Sequence, residues 1–151
     1  MNIVIYGGTG YLGTALVSAL KNSYNISIIS RKSKKNLDYK NIDLLNFKRD
    51  RKEINNKINK ANLIILANGP SSQDSKKKLF SYISFLSNET KNILKYKKKK
   101  TKIIYFSSIH VYENNNKFKS LTKNLLNSRT HYSIRNIVCE NLIIKRFNTR
   151  I

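Results

Sequence analysis

Gly7-Gly8-Thr9-Gly10-Tyr11-Leu12-Gly13 follows directly on an apolar run, Asn2-Ile-Val-Ile-Tyr6, and opens a segment with Leu12, Leu16 and Leu20 at helical spacing. A strand that turns at glycines straight into a helix leaves few architectures open. Gly7, Gly10 and Gly13 stand at the spacing GxxGxxG. The first permits a tight strand-to-helix turn, the middle one leaves bare backbone for a phosphate to approach, and the third lets helix and strand pack closely. The helix N-terminus then offers free N–H groups and a partial positive charge to a pyrophosphate. The competing reading is a plain turn without a ligand. The strand–turn–helix setting favours a nucleotide-binding turn built by Gly7, Thr9, Gly10, Tyr11, Leu12 and Gly13.

The rest of the chain repeats the alternation. Short apolar runs predict strands over 2–6, 25–30, 41–44, 63–67, 102–107 and 142–147. Amphipathic or polar segments predict helices over 11–21, 47–58, 79–96 and 132–141. The helix over 79–96 presents Leu79, Ile83, Leu86, Ile93 and Leu94 as one broad stripe. Apolar strands alternating with helices imply an α/β fold: a doubly wound parallel sheet of about six strands, with helices on both faces. At 151 residues the chain fits one domain. An Asn-, Lys- and Ser-rich stretch over 114–129 reads as linker. The lysines at 97–100 fall where a helix ends and read as a solvated terminus.

The second strand ends Ile29-Ser30-Arg31-Lys32, where an acidic residue would hold both ribose hydroxyls of NAD. Arg31 and Lys32 suit a 2′-phosphate instead, favouring NADP over NAD, unless they merely belong to the general excess of charge. That excess is large: 30 Lys+Arg against 8 Asp+Glu, a formal net charge of +22. With 23 Lys, 21 Asn and 20 Ile, part of the bias reflects AT-rich coding. The charge would attract polyanions, but no nucleic-acid motif accompanies it, so nucleic-acid binding through charge stands as a third reading of low weight. Asp43 suits either an adenine amino group or a turn. The single cysteine, Cys139, sits among Ile137, Val138 and Leu142 and reads as a core thiol. His110 and His131 lack carboxylate or thiol partners in sequence, so no metal site is expected. Apolar runs fall far short of the ~20 residues of a membrane span, and no basic segment precedes the first of them. We therefore expect a cytoplasmic protein that does not meet the membrane.

These residues resemble the extended short-chain dehydrogenase/reductase family of nucleotide-sugar epimerases and dehydratases, across nearly the whole chain. Gly7-Gly-Thr-Gly-Tyr-Leu-Gly13 matches the family's glycine motif. Ile42-Asp43-Leu44 is similar to its adenine-contacting step, and Leu63-Ile-Ile-Leu-Ala67 to a strand whose end, with Asn68 and Gly69, lies beside the cofactor. Tyr105-Phe-Ser107-Ser108-Ile-His-Val111-Tyr112 resembles the serine segment, placing the serine at Ser108. His131-Tyr132-Ser-Ile-Arg135-Asn136 through Glu140 resembles the Tyr-x-x-x-Lys helix. The resemblance implies a Rossmann-type NAD(P)-binding domain over 1–151 and a nucleotide-sugar substrate. It suggests a homodimer, and cofactor contacts at Gly7, Thr9, Gly10, Tyr11, Leu12, Gly13, Arg31, Asp43, Leu44, Ala67, Asn68 and Gly69. It also implies chemistry in which Tyr132 exchanges a proton at a sugar hydroxyl, Ser108 hydrogen-bonds the substrate oxygen, and hydride passes between sugar and nicotinamide.

Two departures stand out. Asn136 occupies the position of the family's lysine, whose charge favours an ionised phenol in those enzymes. An amide carries no charge, while Arg135 offers one from an adjoining helical face. The second departure is length, since a C-terminal substrate domain is absent or truncated in these residues. The alternative to an active epimerase, dehydratase or reductase is therefore a truncated or catalytically impaired dinucleotide-binding module.

Overall fold

Ile, Val and Leu pack well on both faces of a pleated sheet, and the apolar runs form one. The computed structural model describes residues 1–31, 42–69, 75–108, 111 and 131–147. Strands β1 (Asn2–Tyr6), β2 (Asn25–Ser30), β3 (Asp43–Asn46), β4 (Leu63–Leu66) and β5 (Lys102–Tyr105) lie in the order β3-β2-β1-β4-β5. All four pairings are parallel. Helices α1 (Tyr11–Leu20), α2 (Arg51–Lys60), α3 (Ser75–Tyr96) and α4 (His131–Phe147) are interleaved with them. The chain runs from β1 outward to β3 on one side and returns to β4 on the other. The carboxyl ends of β1 and β4 thus form the switch point where doubly wound sheets bind ligands.

The described residues fall into two compact units, Met1–Gly69 with Asn92–Phe106, and Pro70–Lys91 with Ser107–Ile151. The first holds the sheet, α1 and α2. Its core clusters Ile3, Ile5, Ile26, Ile28 and Ile65 around Val17 of α1, with Leu16, Leu20 and Leu44 packed against it. Each such side chain contributes about 1.5–3 kcal/mol by leaving water. Ile54 and Ile58 of α2 are fully buried, one turn apart. Glu53 in the first turn of α2 and Lys57 and Lys60 in its last complement the helix dipole.

Several elements differ from expectation. The stretch 142–147, expected as a sixth strand, continues α4 to Phe147. The reason is visible in burial: Arg135, Cys139 and Ile143 are buried at intervals of four, a helical period that runs through the expected boundary. The third strand spans Asp43–Asn46 rather than 41–44, and α2 begins at Arg51 rather than 47. On α3 the buried stripe includes Tyr82, Leu86, Glu89 and Ile93, while Leu94 is exposed. On α1 the buried residues are Gly13 and Val17, and Leu12 is partly exposed. The linker-like 114–129, together with Lys32, His110 and Tyr112, lies outside the described residues.

Candidate functional site

Four glycines build the turn between β1 and α1, and three are required by the protein's own packing. Gly7 has φ +80°, and a Cβ there would meet Asn68 Cα at 2.7 Å and the Ala67 carbonyl oxygen at 2.9 Å. A Cβ on Gly13 would stand 2.2 Å from the Gly7 carbonyl oxygen, and one on Gly8 2.7 Å from Ile28 Cγ2. Gly10 differs. Its backbone is extended, at φ −83° and ψ 176°. An added Cβ would meet only the Gly7 carbonyl oxygen, at 3.3 Å. Among the described residues packing demands glycine less at 10 than at 7, 8 or 13, and this position is the N-cap of α1.

The turn is held from several sides. The Gly7 N–H donates to Ile29 O at 2.9 Å, the Gly10 N–H to Gly7 O at 2.9 Å, and the Ala67 N–H to Tyr6 O at 3.0 Å. The hydroxyls of Thr9 and Ser30 lie 2.6 Å apart, tying the turn to the end of β2. The first turn of α1 carries no acidic residue and Gly10 provides no side-chain cap, so neither offsets the positive end of the helix. Tyr11 is 99% exposed and Leu12 38%. Ala67 and Asn68 are half-buried, Gly69 exposed. The bare backbone around Gly10 fits a pyrophosphate: donors are available and no Cβ stands over them.

Arg31 follows β2 directly and is exposed, on the side of the sheet that carries the glycine turn. Asp43 is not brought there. It opens β3 opposite Ser27, three residues or about 10 Å along the strand from the carboxyl end. Its carboxylate accepts from Lys57 Nζ and, at 3.3 Å, from Ser27 Oγ. Leu44 packs into the core. The carboxyl end of β3, opposite Ser30, carries Asn46 instead. Asn46 Nδ2 donates to Arg31 O at 3.3 Å, and its Oδ1 accepts the Lys48 N–H at 3.0 Å. Sequence reasoning passed over Asn46 and Gly8. The signal for Gly8 was available in the four glycines within seven residues; that for Asn46 required the register of β3.

The second unit carries Ser108, Tyr132 and Asn136. Ser108 is half-buried, and its carbonyl accepts the Val111 N–H at 3.1 Å. Tyr132, Arg135 and Asn136 share one face of α4 at spacings of three and four. Asn136, 2% exposed, donates from Nδ2 to Tyr132 O at 3.0 Å and accepts at Oδ1 from Arg135 Nη2 at 3.2 Å. Its amide is thus engaged within its own helix at both ends. The Arg135 guanidinium, itself buried, lies over two rings, 4.5 Å from the centroid of Tyr132 and 5.3 Å from that of Tyr82. Burial pushes the Tyr82 phenol well above its ordinary range; Cys139 adds to the shift and Arg135 opposes it. Cys139 is a buried free thiol. Among the described residues no group of His, Cys, Asp and Glu is placed to hold a metal, and no helix is long and apolar enough to cross a membrane.

A family model described as the NAD dependent epimerase/dehydratase family matches residues 3–148. Solved structures share the fold. The UDP-N-acetylglucosamine 4-epimerase of Bacillus cereus superposes with a TM-score of 0.74 at 20% identity, over 95% of this chain and 50% of that one. The NAD dependent NDP-hexosamine 5,6-dehydratase TunA, involved in tunicamycin biosynthesis, gives 0.75 at 18%, over 97% and 50%. The Bordetella bronchiseptica enzyme WbmG, solved with NAD and UDP, gives 0.74 at 16%, over 95% and 49%. The chain therefore spans about half the length of the structures it matches. No curated protein matches its sequence.

Proposed function

Starting from a chain that belongs to the NAD dependent epimerase/dehydratase family, we propose that it binds a nicotinamide dinucleotide at the Gly7–Gly13 turn and acts on a nucleotide sugar. The observation that carries this reading is Gly10, the least crowded glycine of the turn, at the N-terminus of a helix whose N-cap makes no side-chain hydrogen bond. A diphosphate seated there would take the α1 N–H groups, with Thr9, Tyr11, Leu12, Ala67, Asn68 and Gly69 around it. Exposed Arg31 would hold the 2′-phosphate of NADP, which would favour NADPH over NADH. Asn46, at the carboxyl end of β3, takes the adenine-side position that Asp43 does not reach.

A bound nicotinamide dinucleotide would supply reversible hydride transfer at a sugar carbon. Tyr132 Oη takes the proton from the hydroxyl on that carbon and gives it back on return. Ser108 Oγ hydrogen-bonds the same oxygen. Arg135 supplies the positive charge that the family's lysine would, from over the Tyr132 ring. Asn136, turned into its own helix, holds Arg135 and the Tyr132 backbone rather than the cofactor.

That inward turn of Asn136 also favours a second reading, a dinucleotide-binding module without turnover. The two are separated by incubating the full chain with NADP or NAD and UDP-sugars and following nicotinamide absorbance and sugar products. The enzyme reading predicts turnover that Tyr132→Phe lowers at least ~100-fold while NADPH affinity is kept. Binding without turnover supports the module. Turnover that survives Tyr132→Phe contradicts the assignment of Tyr132. Arg31→Ala should weaken NADPH about tenfold and NADH less than about twofold.

A further inference from the structure

Positive charge is not spread evenly over the first unit. A parallel sheet with crossover helices delivers helix C-termini to the amino edge of its strands. Here that edge gathers Lys21 just past α1, Lys57 and Lys60 at the end of α2, and the lysines at 97–100 beyond α3, beside Lys102 of β5. Hydrogen bonds hold these ends together. Asn2 Nδ2 donates to Lys60 O at 3.2 Å, Thr101 Oγ1 to Ala61 O at 2.8 Å, and the Lys102 N–H to Asn62 O at 3.0 Å. Lys21, Lys60, Lys98, Lys99, Lys100 and Lys102 are exposed. The carboxylate at this edge among the described residues is Asp43, and it is paired with Lys57.

Helix dipoles account for a cation or two at each terminus. They do not account for a run of four followed by Lys102. A uniform compositional bias would not account for it either: in the segment that enters α2 at the opposite edge, Lys48, Arg49, Arg51 and Lys52 stand with Asp50 and Glu53. The amino edge also has shape. A cavity of about 710 Å³ opens there, lined by Lys21, Lys57, Lys60, Asp43, Asn25 and Tyr24, and Tyr24 is 38% exposed.

We propose that the amino edge of the sheet binds single-stranded nucleic acid, with phosphates on the lysines and a base stacked on Tyr24. Lysines supply salt-dependent affinity by counterion release, and an exposed ring beside them supplies the stacking platform that an acidic polypeptide would not use. The surface lies at the end of the sheet away from the glycine turn, so it is independent of the nicotinamide reading.

The test measures fluorescence anisotropy of a labelled single-stranded oligonucleotide from about 50 to 200 mM salt. Lys98→Glu/Lys99→Glu/Lys100→Glu should weaken binding at least ~tenfold and lower the log–log salt slope by about two. The charge-matched Lys48→Glu/Arg49→Glu/Lys52→Glu variant should stay within about twofold. Tyr24→Ala should lose roughly fivefold with the slope unchanged, and Gly10→Asp should bind like wild type. Thermal unfolding verifies the fold of each variant, and the single Lys99→Glu carries the test if the triple variant does not fold. Equal losses in the two triple variants would overturn the proposal, as would no binding by wild type. Polyglutamate competing as well as the oligonucleotide would overturn it in favour of an acidic protein partner.

Discussion

The guanidinium carbon of Arg135 lies 4.5 Å from the ring centroid of Tyr132, one turn back on the same helix, and its Nη2 reaches the Asn136 side chain. The buried charge and amide adjoin a half-buried ring, so the three respond to mutation together. Arg135→Leu withdraws the donor from buried Asn136 Oδ1 and the cation from two rings, and should cost about 2–3 kcal/mol in urea unfolding. Arg135→Lys keeps the charge without the planar fork and should cost roughly 1 kcal/mol. Equal losses for the two would show that the charge contributes nothing.

Restoring the family's lysine is expected to harm this chain. Position 136 is 2% exposed and already adjoins the buried Arg135 cation. Asn136→Lys would bury a second positive charge and remove the amide that bonds Tyr132 O, and should destabilise by about 3 kcal/mol or more. A variant as stable as wild type in urea unfolding would mean that the 136 side chain has an outlet to solvent.

The glycines of the turn should separate by mechanism. Gly13→Ala places a Cβ 2.2 Å from a carbonyl oxygen, and relief requires shifting α1 away from β1. It should cost about 3 kcal/mol in stability. Gly10→Ala changes an N-cap and asks the Gly7 carbonyl, 3.3 Å from the new Cβ, to yield by a few tenths of an ångström, and should cost about 1 kcal/mol. Denaturant midpoints of the two variants check both figures.

Tyr82 gives the fold an alkaline limit. Its phenol is raised above the ordinary value chiefly by burial, so the folded state holds this proton more tightly than the unfolded chain. Its contribution is complete below the unfolded value of about 10 and is lost as pH rises beyond it. Urea midpoints should therefore fall as pH rises from about 10. Tyr82→Phe, which has no phenol to ionise, should flatten that part of the decline relative to wild type; identical pH dependence in the two proteins would contradict the burial argument.

Much of this was legible in sequence because it rests on short-range pattern. The strand–glycine–helix passage around Gly7 and the apolar strands at 2–6, 25–30 and 63–67 follow from period and turn chemistry, and with them the parallel sheet. The failures have a common cause in tertiary context. The run 142–147 is apolar enough for a strand, but the burial of Cys139 and Ile143 four residues apart keeps it helical. Asp43 looks like a cofactor contact until register places it at the far end of β3. Asn136 could be identified as a missing cation, whereas its inward amide and the stacking of Arg135 on Tyr132 depend on side-chain geometry that no spacing rule contains.

The central claim is that the backbone around Gly10 seats a dinucleotide diphosphate. Titrating the full chain with NADPH and following nicotinamide fluorescence tests it most directly, with Gly10→Asp in parallel. The account predicts saturable binding by wild type and none up to millimolar NADPH for Gly10→Asp, whose thermal unfolding should fall far less than that of Gly13→Ala, since its Cβ meets the Gly7 carbonyl oxygen at 3.3 Å rather than 2.2 Å. Equal binding by the two, or none by wild type at millimolar NADPH or NADH, would contradict it.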